Sequence, residues 1–305
     1  MDNILFCSVG RRGKLLQDFR KSMNGCGKII GTELSPVAPA LFFCDEKYLV
    51  PRIDSPDYYN HIFDICEKCD VKAITTLIDP EIELLAKRRD AFLSKGVRTV
   101  LTYNSLEGLK EGLERGEISF PVFMKPISGS GSVGIGKVNN WEEAEAKFND
   151  GKFTYIIQEL MTGGDCDADV YVDCISHKPV AIFSKKKIES RIGGASKTIS
   201  FKDQKLFDFV AEVCSVLELN GPCDMDFFIK DGEYYLSEIN PRFGGAYLHA
   251  YGAGVDFIKL IINNIHGIEN ESIVGQYDED VIMMMYDDVV ITKKSDLLSD
   301  NFSLI

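Results

Sequence analysis

The chain has one tryptophan and four histidines in 305 residues, and its bases fall short of its acids: 34 Lys and Arg against 47 Asp and Glu, a formal net charge of −13. That deficit of positive charge argues against nucleic-acid or membrane partners, because nonspecific binding to either polyanionic surface needs basic patches. The histidines, His61, His177, His249 and His266, are scattered. They give the lone C-x-x-C of Cys66 and Cys69 no second pair of ligands for a structural zinc site, and two helix-facing thiols are the simpler reading. No apolar run reaches the roughly 20 residues of a membrane-spanning helix. Met1-Asp2-Asn3 enters a strand without a signal-peptide pattern. Nine cysteines, an odd number running from Cys7 to Cys223, read as reduced thiols, so a cytoplasmic setting is expected. Repeats and low-complexity segments are absent from the sequence.

What is there is ordinary in bulk, 45% hydrophobic and 27% charged, and long enough for two or three compact units. Residues 3–10 read as an apolar strand, Gly10-Arg11-Arg12-Gly13 as the turn into a helix over 14–23, and residues 28–32 and 71–77 as further strands. Helices are expected over 57–69 and over 81–94, the second started by Pro80. Strand–helix alternation implies a parallel sheet, and ligands of such sheets sit at the carboxyl ends of the strands. That makes the loops holding Arg11, Arg12 and Asp79 a candidate substrate site, although Arg11 and Arg12 equally suit a solvated turn. Near 100–104 the pattern changes to antiparallel strands with helices over 105–115, 141–148, 203–218 and 255–266. The expected division is an amino-terminal α/β domain over 1–101, followed by an α+β domain over 102–305. The latter splits into 102–160 and 161–305. Val281-Ile282-Met283-Met284-Met285-Tyr286 reads as a buried strand.

The most informative segment runs from Asp226 to Glu238. An apolar run, the turn Lys230-Asp231-Gly232-Glu233 and Tyr234-Tyr235-Leu236 predict a hairpin that brings Asp226 beside Glu238. Asn240, two residues on, falls on the same face. Two carboxylates and an amide oxygen are the hard donors Mg²⁺ or Mn²⁺ takes when shared with a polyphosphate. Arg242, after Pro241, adds a fixed positive charge. Taken alone, the segment equally fits a structural acidic turn.

A second element lies upstream. The apolar run Pro121-Val122-Phe123-Met124 ends in Lys125, and Ser128-Gly129-Ser130-Gly131-Ser132 opens a loop reaching Gly136. Gly129, Gly131 and Gly134 match G-x-G-x-x-G, but residues 135–138 read as a returning strand where a dinucleotide fold needs a helix. Val138 stands where a P-loop needs a hydroxyl. What remains is a strand–loop–strand flap whose glycines let backbone N–H groups approach phosphate. Downstream, residues 155–157 read as a buried strand and 158–160 as an edge segment with free backbone groups. The only concentrated basic stretch, 184–197, is either a solvated strand edge or an anion clamp, with Arg191 and Lys197 favoured for the clamp.

Lysine with a Gly/Ser loop, a Gln-Glu-Leu segment, an acidic strand and Glu-Ile-Asn-Pro-Arg occur here in an order that resembles the ATP-grasp superfamily. The chain looks most similar to short proteins related to the large subunit of carbamoyl-phosphate synthase. The resemblance implies an amino-terminal parallel-sheet domain followed by a two-subdomain ATP-grasp fold. It implies ATP contacts from Lys125, residues 128–132, Glu159, Leu160 and Asp165, and Mg²⁺ on Asp226, Glu238 and Asn240. Arg242 would lie near the transferring phosphoryl group. Members of this kind activate a carboxylate as an acyl-phosphate for attack by an amine, and many are homodimers. One element departs: relatives carry an Asp-Lys pair opening a helix between the domains, and none is found here, Lys87, Arg88 and Arg89 being the nearest bases. The expectation is therefore a Mg-dependent carboxylate–amine ligase acting on small molecules. The alternative is an ATP-binding protein of weakened catalysis with a regulatory or assembly role.

Overall fold

The run Asn-Ile-Leu-Phe-Cys lacks polar alternation, and it forms β1 (Asn3–Cys7), buried along its whole length. In this computed structural model the described residues are 1–53, 55–77, 102–127, 133–191 and 194–298. β1 lies inside a parallel sheet with β2 (Ile29–Glu33), β3 (Glu46–Leu49) and β4 (Val71–Thr76), in the order β3-β2-β1-β4. Leu5 is in register with Ile30 on one side and Ile74 on the other. Helix α1 (Gly13–Met23) buries Leu15, Leu16 and Phe19, the i, i+1, i+4 stripe of an amphipathic helix. Helix α2 (Tyr58–Lys68) contributes Ile62 and Ile65 to a cluster with Leu5, Ile30 and Cys69. Cys66 and Cys69 are both free thiols.

The chain divides into two compact units, and the amino-terminal one takes in residues 1–78, 256–270 and 285–305. A late helix therefore belongs to it: α7 (Phe257–Ile265), whose N-cap Asp256 accepts from Ser22 Oγ at 2.7 Å. Beyond α7, His266 Nε2 lies 3.0 Å from Asp2 Oδ2.

The second unit, residues 79–255 and 271–284, holds two antiparallel sheets. The smaller has the order β5-β8-β6-β7: β5 (Thr102–Tyr103), β8 (Tyr155–Glu159), β6 (Val122–Pro126) and β7 (Gly136–Val138). Helices α3 (Leu106–Glu114) and α4 (Trp141–Phe148) cover it, started by Ser105 and Asn140 side chains that accept from the third following N–H. The larger has the order β13-β12-β9-β10-β11-β14: β9 (Gly164–Val172), β10 (Pro179–Arg191), β11 (Gly194–Phe201), β12 (Gly221–Lys230), β13 (Glu233–Asn240) and β14 (Ile282–Met284). Helix α5 (Gln204–Leu217) packs on it, with Phe209 5.8 Å from Phe227 ring to ring.

Two local expectations are corrected. Gln158 is no free edge: β8 is interior there, with Gln158 paired to Thr102 on β5 and to Phe123 on β6, whereas Glu159 is paired, among the described residues, on the β6 side alone and Leu160 follows the strand. The two-residue β5 that covers it is too short to carry a periodic signal. The apolar stretch 281–286 is not a buried strand either. Its β14 pairs with β11 alone and forms the sheet's edge, leaving Ile282, Met284 and Tyr286 exposed. The helix expected over 81–94, with Lys87, Arg88 and Arg89, lies outside the described residues.

Candidate functional site

Alternation in three neighbouring strands builds the site. Along β9, Cys166, Ala168 and Val170 are fully buried on one face, and along β12 so are Cys223, Met225 and Phe227. The period of two then sends Asp165, Asp167 and Asp169, with Asp224 and Asp226, to the opposite face. Register joins them into rows. Asp226 stands between Asp167 on β9 and Glu238 on β13; Asp224 stands between Asp169 and Asn240. The hairpin expected from sequence thus forms with Asp226 directly across from Glu238. A bulge follows at once, since Phe227 is in register with Leu236. The extra residue, Ser237, adjusts the strand beside the two carboxylates.

So many carboxylates on one face need cations, and β10 supplies them. Lys185 Nζ lies 2.6 Å from Asp169 Oδ2, with neither side chain exposed. Lys187 Nζ lies 2.8 Å from Asp226 Oδ1, 2.8 Å from Asp167 Oδ1 and 3.4 Å from Asp165 Oδ2. Arg242, buried beyond the end of β13, has Nη1 3.8 Å from Asp224 Oδ2 and donates from it to the Phe243 carbonyl at 2.9 Å. From the smaller sheet, Lys125 Nζ reaches to 3.6 Å from Glu238 Oε2. A second tie between the sheets joins Lys230 to Glu159 at 3.3 Å. Gly244 closes over the row: a Cβ there would stand 2.6 Å from Asp224 Oδ1 and 2.8 Å from Asp169 Oδ1. Only glycine fits that approach.

Burial and charge pull these groups apart in acidity. Burial raises the Asp224 carboxyl to about 7, only partly offset by Lys185. Asp167 is also pushed well above the usual carboxylate range, first by burial and then by the neighbouring Asp226 charge. Asp226 is likewise raised by burial, but the Lys187 ammonium, a hydrogen bond with Asp167 and the Lys185 charge together leave it below its ordinary value. For Lys185 and Lys187 the order is reversed: burial disfavours the ammonium, and the surrounding carboxylates more than compensate.

The donors fit a shared divalent cation. Asp226, Glu238 and Asn240 offer two carboxylates and an amide, and among the described residues no group of three His, Cys, Asp or Glu side chains forms a self-sufficient metal cage. Hard oxygens that leave coordination positions for phosphate suit Mg²⁺ or Mn²⁺.

The other candidates are more dispersed. Lys197 pairs at the surface with Glu189 at 2.6 Å, and Arg191 ends β10, exposed. Leu160 follows β8 directly, half-buried. Arg11 and Arg12 sit between β1 and α1 in the amino-terminal unit. Ser128, Gly129, Ser130, Gly131, Ser132 and Asp79 lie outside the described residues. Sequence reasoning passed over Asp167, Asp169 and Asp224, and within the basic stretch 184–197 it favoured Arg191 and Lys197 over the site lysines Lys185 and Lys187. The D-x-D-x-D of 165–169 was the available signal, since it puts three carboxylates on one strand face, and in the Lys-Lys-Lys of 185–187 the outer two share a face while Lys186 takes the other.

An acidic and basic strand face thus lies opposite a lysine-bearing sheet, and comparisons with known proteins match the domains that carry it. A model described as "PylC-like, N-terminal domain" matches residues 4–100, and one described as "ATP-grasp domain" matches residues 111–246. The two matches place a PylC-like amino-terminal domain ahead of an ATP-grasp domain in this chain. It is 26% identical over 135 residues to the arginine-specific carbamoyl phosphate synthase large chain of Geobacillus stearothermophilus, covering 41% of this chain and 13% of that protein. It is 28% identical over 148 residues to D-alanine–D-alanine ligase of Legionella pneumophila, covering 41% of each. The chain thus spans less than half the length of either relative. N5-carboxyaminoimidazole synthetase from Staphylococcus aureus, solved with ADP, superimposes with a TM-score of 0.70 at 16% identity, over 89% of this chain and 79% of that one. That likeness establishes the fold. No helix among the described residues is long and apolar enough to cross a membrane.

Proposed function

We propose that this chain is a Mg-dependent ATP-grasp ligase that activates a small carboxylate as an acyl-phosphate for attack by an amine. The observation that carries the reading is the meeting of Asp226, Glu238 and Asn240 on one strand face, with Lys125 of the facing sheet 3.6 Å from Glu238. The name of the Legionella relative, a D-alanine–D-alanine ligase, and the ADP in the Staphylococcus structure support the same reaction class.

In this reading Lys125 binds the α or β phosphate, and the loop from Ser128 to Gly136 covers the polyphosphate. Glu159 and Leu160 meet the adenine through their backbone, and Asp165 accepts from the ribose. Asp226, Glu238 and Asn240 would hold magnesium, which would supply charge neutralisation to the phosphates. Arg242 faces the transferring phosphoryl group, and Arg191 and Lys197 form an outer clamp. The carboxylate substrate attacks the γ-phosphorus, ADP leaves, and the amine displaces phosphate from the acyl carbon. Little covalent help is needed from side chains, so positioning and charge carry the rate. The domain division at about residue 101 belongs to this proposal, as do substrate contacts from Arg11, Arg12 and Asp79 and a homodimeric assembly.

The test is calorimetry with ATP, ADP and GTP, in Mg²⁺ and in EDTA, followed by a phosphate-release screen of amino acids and other small carboxylates with amines. Mg-dependent ATP binding with phosphate release on one substrate pair is expected. Tight ATP binding without release on any pair would replace the ligase by a nucleotide-binding protein that has lost catalysis.

A further inference from the structure

Among the cations of this site, Lys187 is placed differently from the rest. Lys185 is sealed, without exposed side-chain surface, against Asp169. Lys187 retains 19% exposure of its side chain and is shared among three carboxylates on two strands. One of them, Asp226, is in the expected metal set; another, Asp165, is the expected ribose acceptor. An ammonium 2.8 Å from Asp226 Oδ1 competes with a divalent cation for the same oxygen, because two centres of positive charge cannot share it at contact distance without strong repulsion. A lysine has the reach to move, being a point charge on a flexible four-carbon stem. Polyphosphate is the natural alternative partner for that charge.

We propose that Lys187 is the site's exchangeable cation: it holds Asp226 and Asp167 until a divalent ion takes Asp226, and its ammonium then turns to the nucleotide's phosphates. This rests on the ATP-grasp reading above. It also supplies, from strand β10, the positive charge that the missing Asp-Lys element leaves wanting. Lys187 is thus a positioning residue that links metal and nucleotide binding: metal alone meets an occupied carboxylate, whereas metal with nucleotide offers the displaced ammonium a new anion.

Mn²⁺, followed by its paramagnetic resonance signal, is the probe, with ATP added separately in EDTA. Wild type is expected to bind Mn²⁺ alone only weakly and to saturate with Mn·ATP. Lys187→Gln should bind Mn²⁺ alone at least about tenfold more tightly and lose about tenfold of the gain in ATP affinity that Mn²⁺ brings, each the scale of one charge-assisted contact. Its binding of metal-free ATP in EDTA should change little, because Lys187 stays on Asp226 until a metal displaces it. Lys187→Arg, which keeps the charge, should restore the wild-type pattern, which a merely structural role would not require. Equal Mn²⁺ affinity in wild type and Lys187→Gln overturns the proposal. Should Lys187→Gln not fold, the wild type still decides: tight binding of Mn²⁺ alone, at concentrations where Mn·ATP saturates, overturns it equally. A wild type that binds neither Mn·ATP nor ATP overturns the ligase reading itself, a separate result.

Discussion

Replacing Lys185 by Met isolates the electrostatics of the strand face, because the two side chains are close in length and the change removes charge with little volume. The wild-type ammonium lies 2.6 Å from Asp169 Oδ2, fully enclosed. Asp224 and Asp167 also feel it. Removing one partner of a buried ion pair costs about 3–5 kcal/mol, since the other charge is left desolvated. The loss should depend on pH. Without Lys185, burial favours the protonated form of Asp169, as it already does for Asp224, whose carboxyl titrates at about 7 with the lysine present. A carboxyl whose folded pKa is raised binds more protons in the folded state, so its stability contribution is present in acid and lost as pH rises through that folded value. Each pH unit across the window returns about 1.4 kcal/mol per carboxyl.

The assay is urea unfolding of wild type and Lys185→Met at about pH 5 and about pH 8, read by circular dichroism. At about pH 8 the variant should lose the full 3–5 kcal/mol, and at about pH 5 less than half of that. A loss that is the same at both pH values, or below about 1 kcal/mol throughout, would refute the reasoning. It would mean that the pair is screened by water and that the cations on this face are not needed to hold its carboxylates.

Three further outcomes are expected. Glu238→Ala should abolish Mg-dependent ATP binding in calorimetry while leaving the circular dichroism spectrum unchanged, since a carboxylate facing Asp226 is removed and the relief of their repulsion offsets the lost Lys125 contact; retention of wild-type affinity would count against the metal set. Gly244→Ala should lower stability by about 1–3 kcal/mol, measured by thermal unfolding, because its Cβ would stand 2.6 Å from Asp224 Oδ1 in a packed site. His249, buried and bonded through Nδ1 to Thr198 Oγ1 at 2.7 Å, is held down to about 4 by burial and then by Lys185. The unfolded chain therefore takes up a proton that the folded chain refuses, and wild-type stability should fall by about 3 kcal/mol as pH drops from about 6.5 to about 4, a slope that His249→Gln should remove.

Much of this architecture was legible because local pattern and tertiary demand agree. The alternation in 223–228 and the turn at 230–233 put Asp226 across from Glu238, and the structure has that register. Asn140 before Trp141 marks a helix start that is observed with its side-chain cap. The helix expected over 203–218 is likewise observed, as α5. What escaped depends on pairing between strands distant in sequence. Whether Lys187 or Lys197 faces the carboxylates is decided by the register of β10 on β9, which no local pattern encodes. The same holds for β8, interior only because the two residues of β5 pair with it. Methionine-rich β14 misled for the opposite reason: its composition suits a core, but only one neighbour was available. Helix α7 follows the ATP-grasp strands in sequence yet belongs to the amino-terminal unit, where Ser22 meets its cap.

The charge balance of the site also explains why a chain of net charge −13 is a reasonable partner for a polyanion. Beyond a Debye length, about 8 Å at physiological ionic strength, the many surface carboxylates are screened. Inside the site the interactions are at contact distance and partly desolvated, so the arrangement of Lys125, Lys185, Lys187 and Arg242 counts for more than the sum over the surface. The carboxylates among them are not an obstacle. Before metal and nucleotide bind, each holds a cation, and two of them, Asp226 and Glu238, stand side by side where a divalent ion would turn their repulsion into attraction for phosphate. An apolar face carrying lysines alone would repel itself and hold those lysines loosely. Pairing every cation with an acid is what makes a rigid, phosphate-ready surface out of an acidic protein.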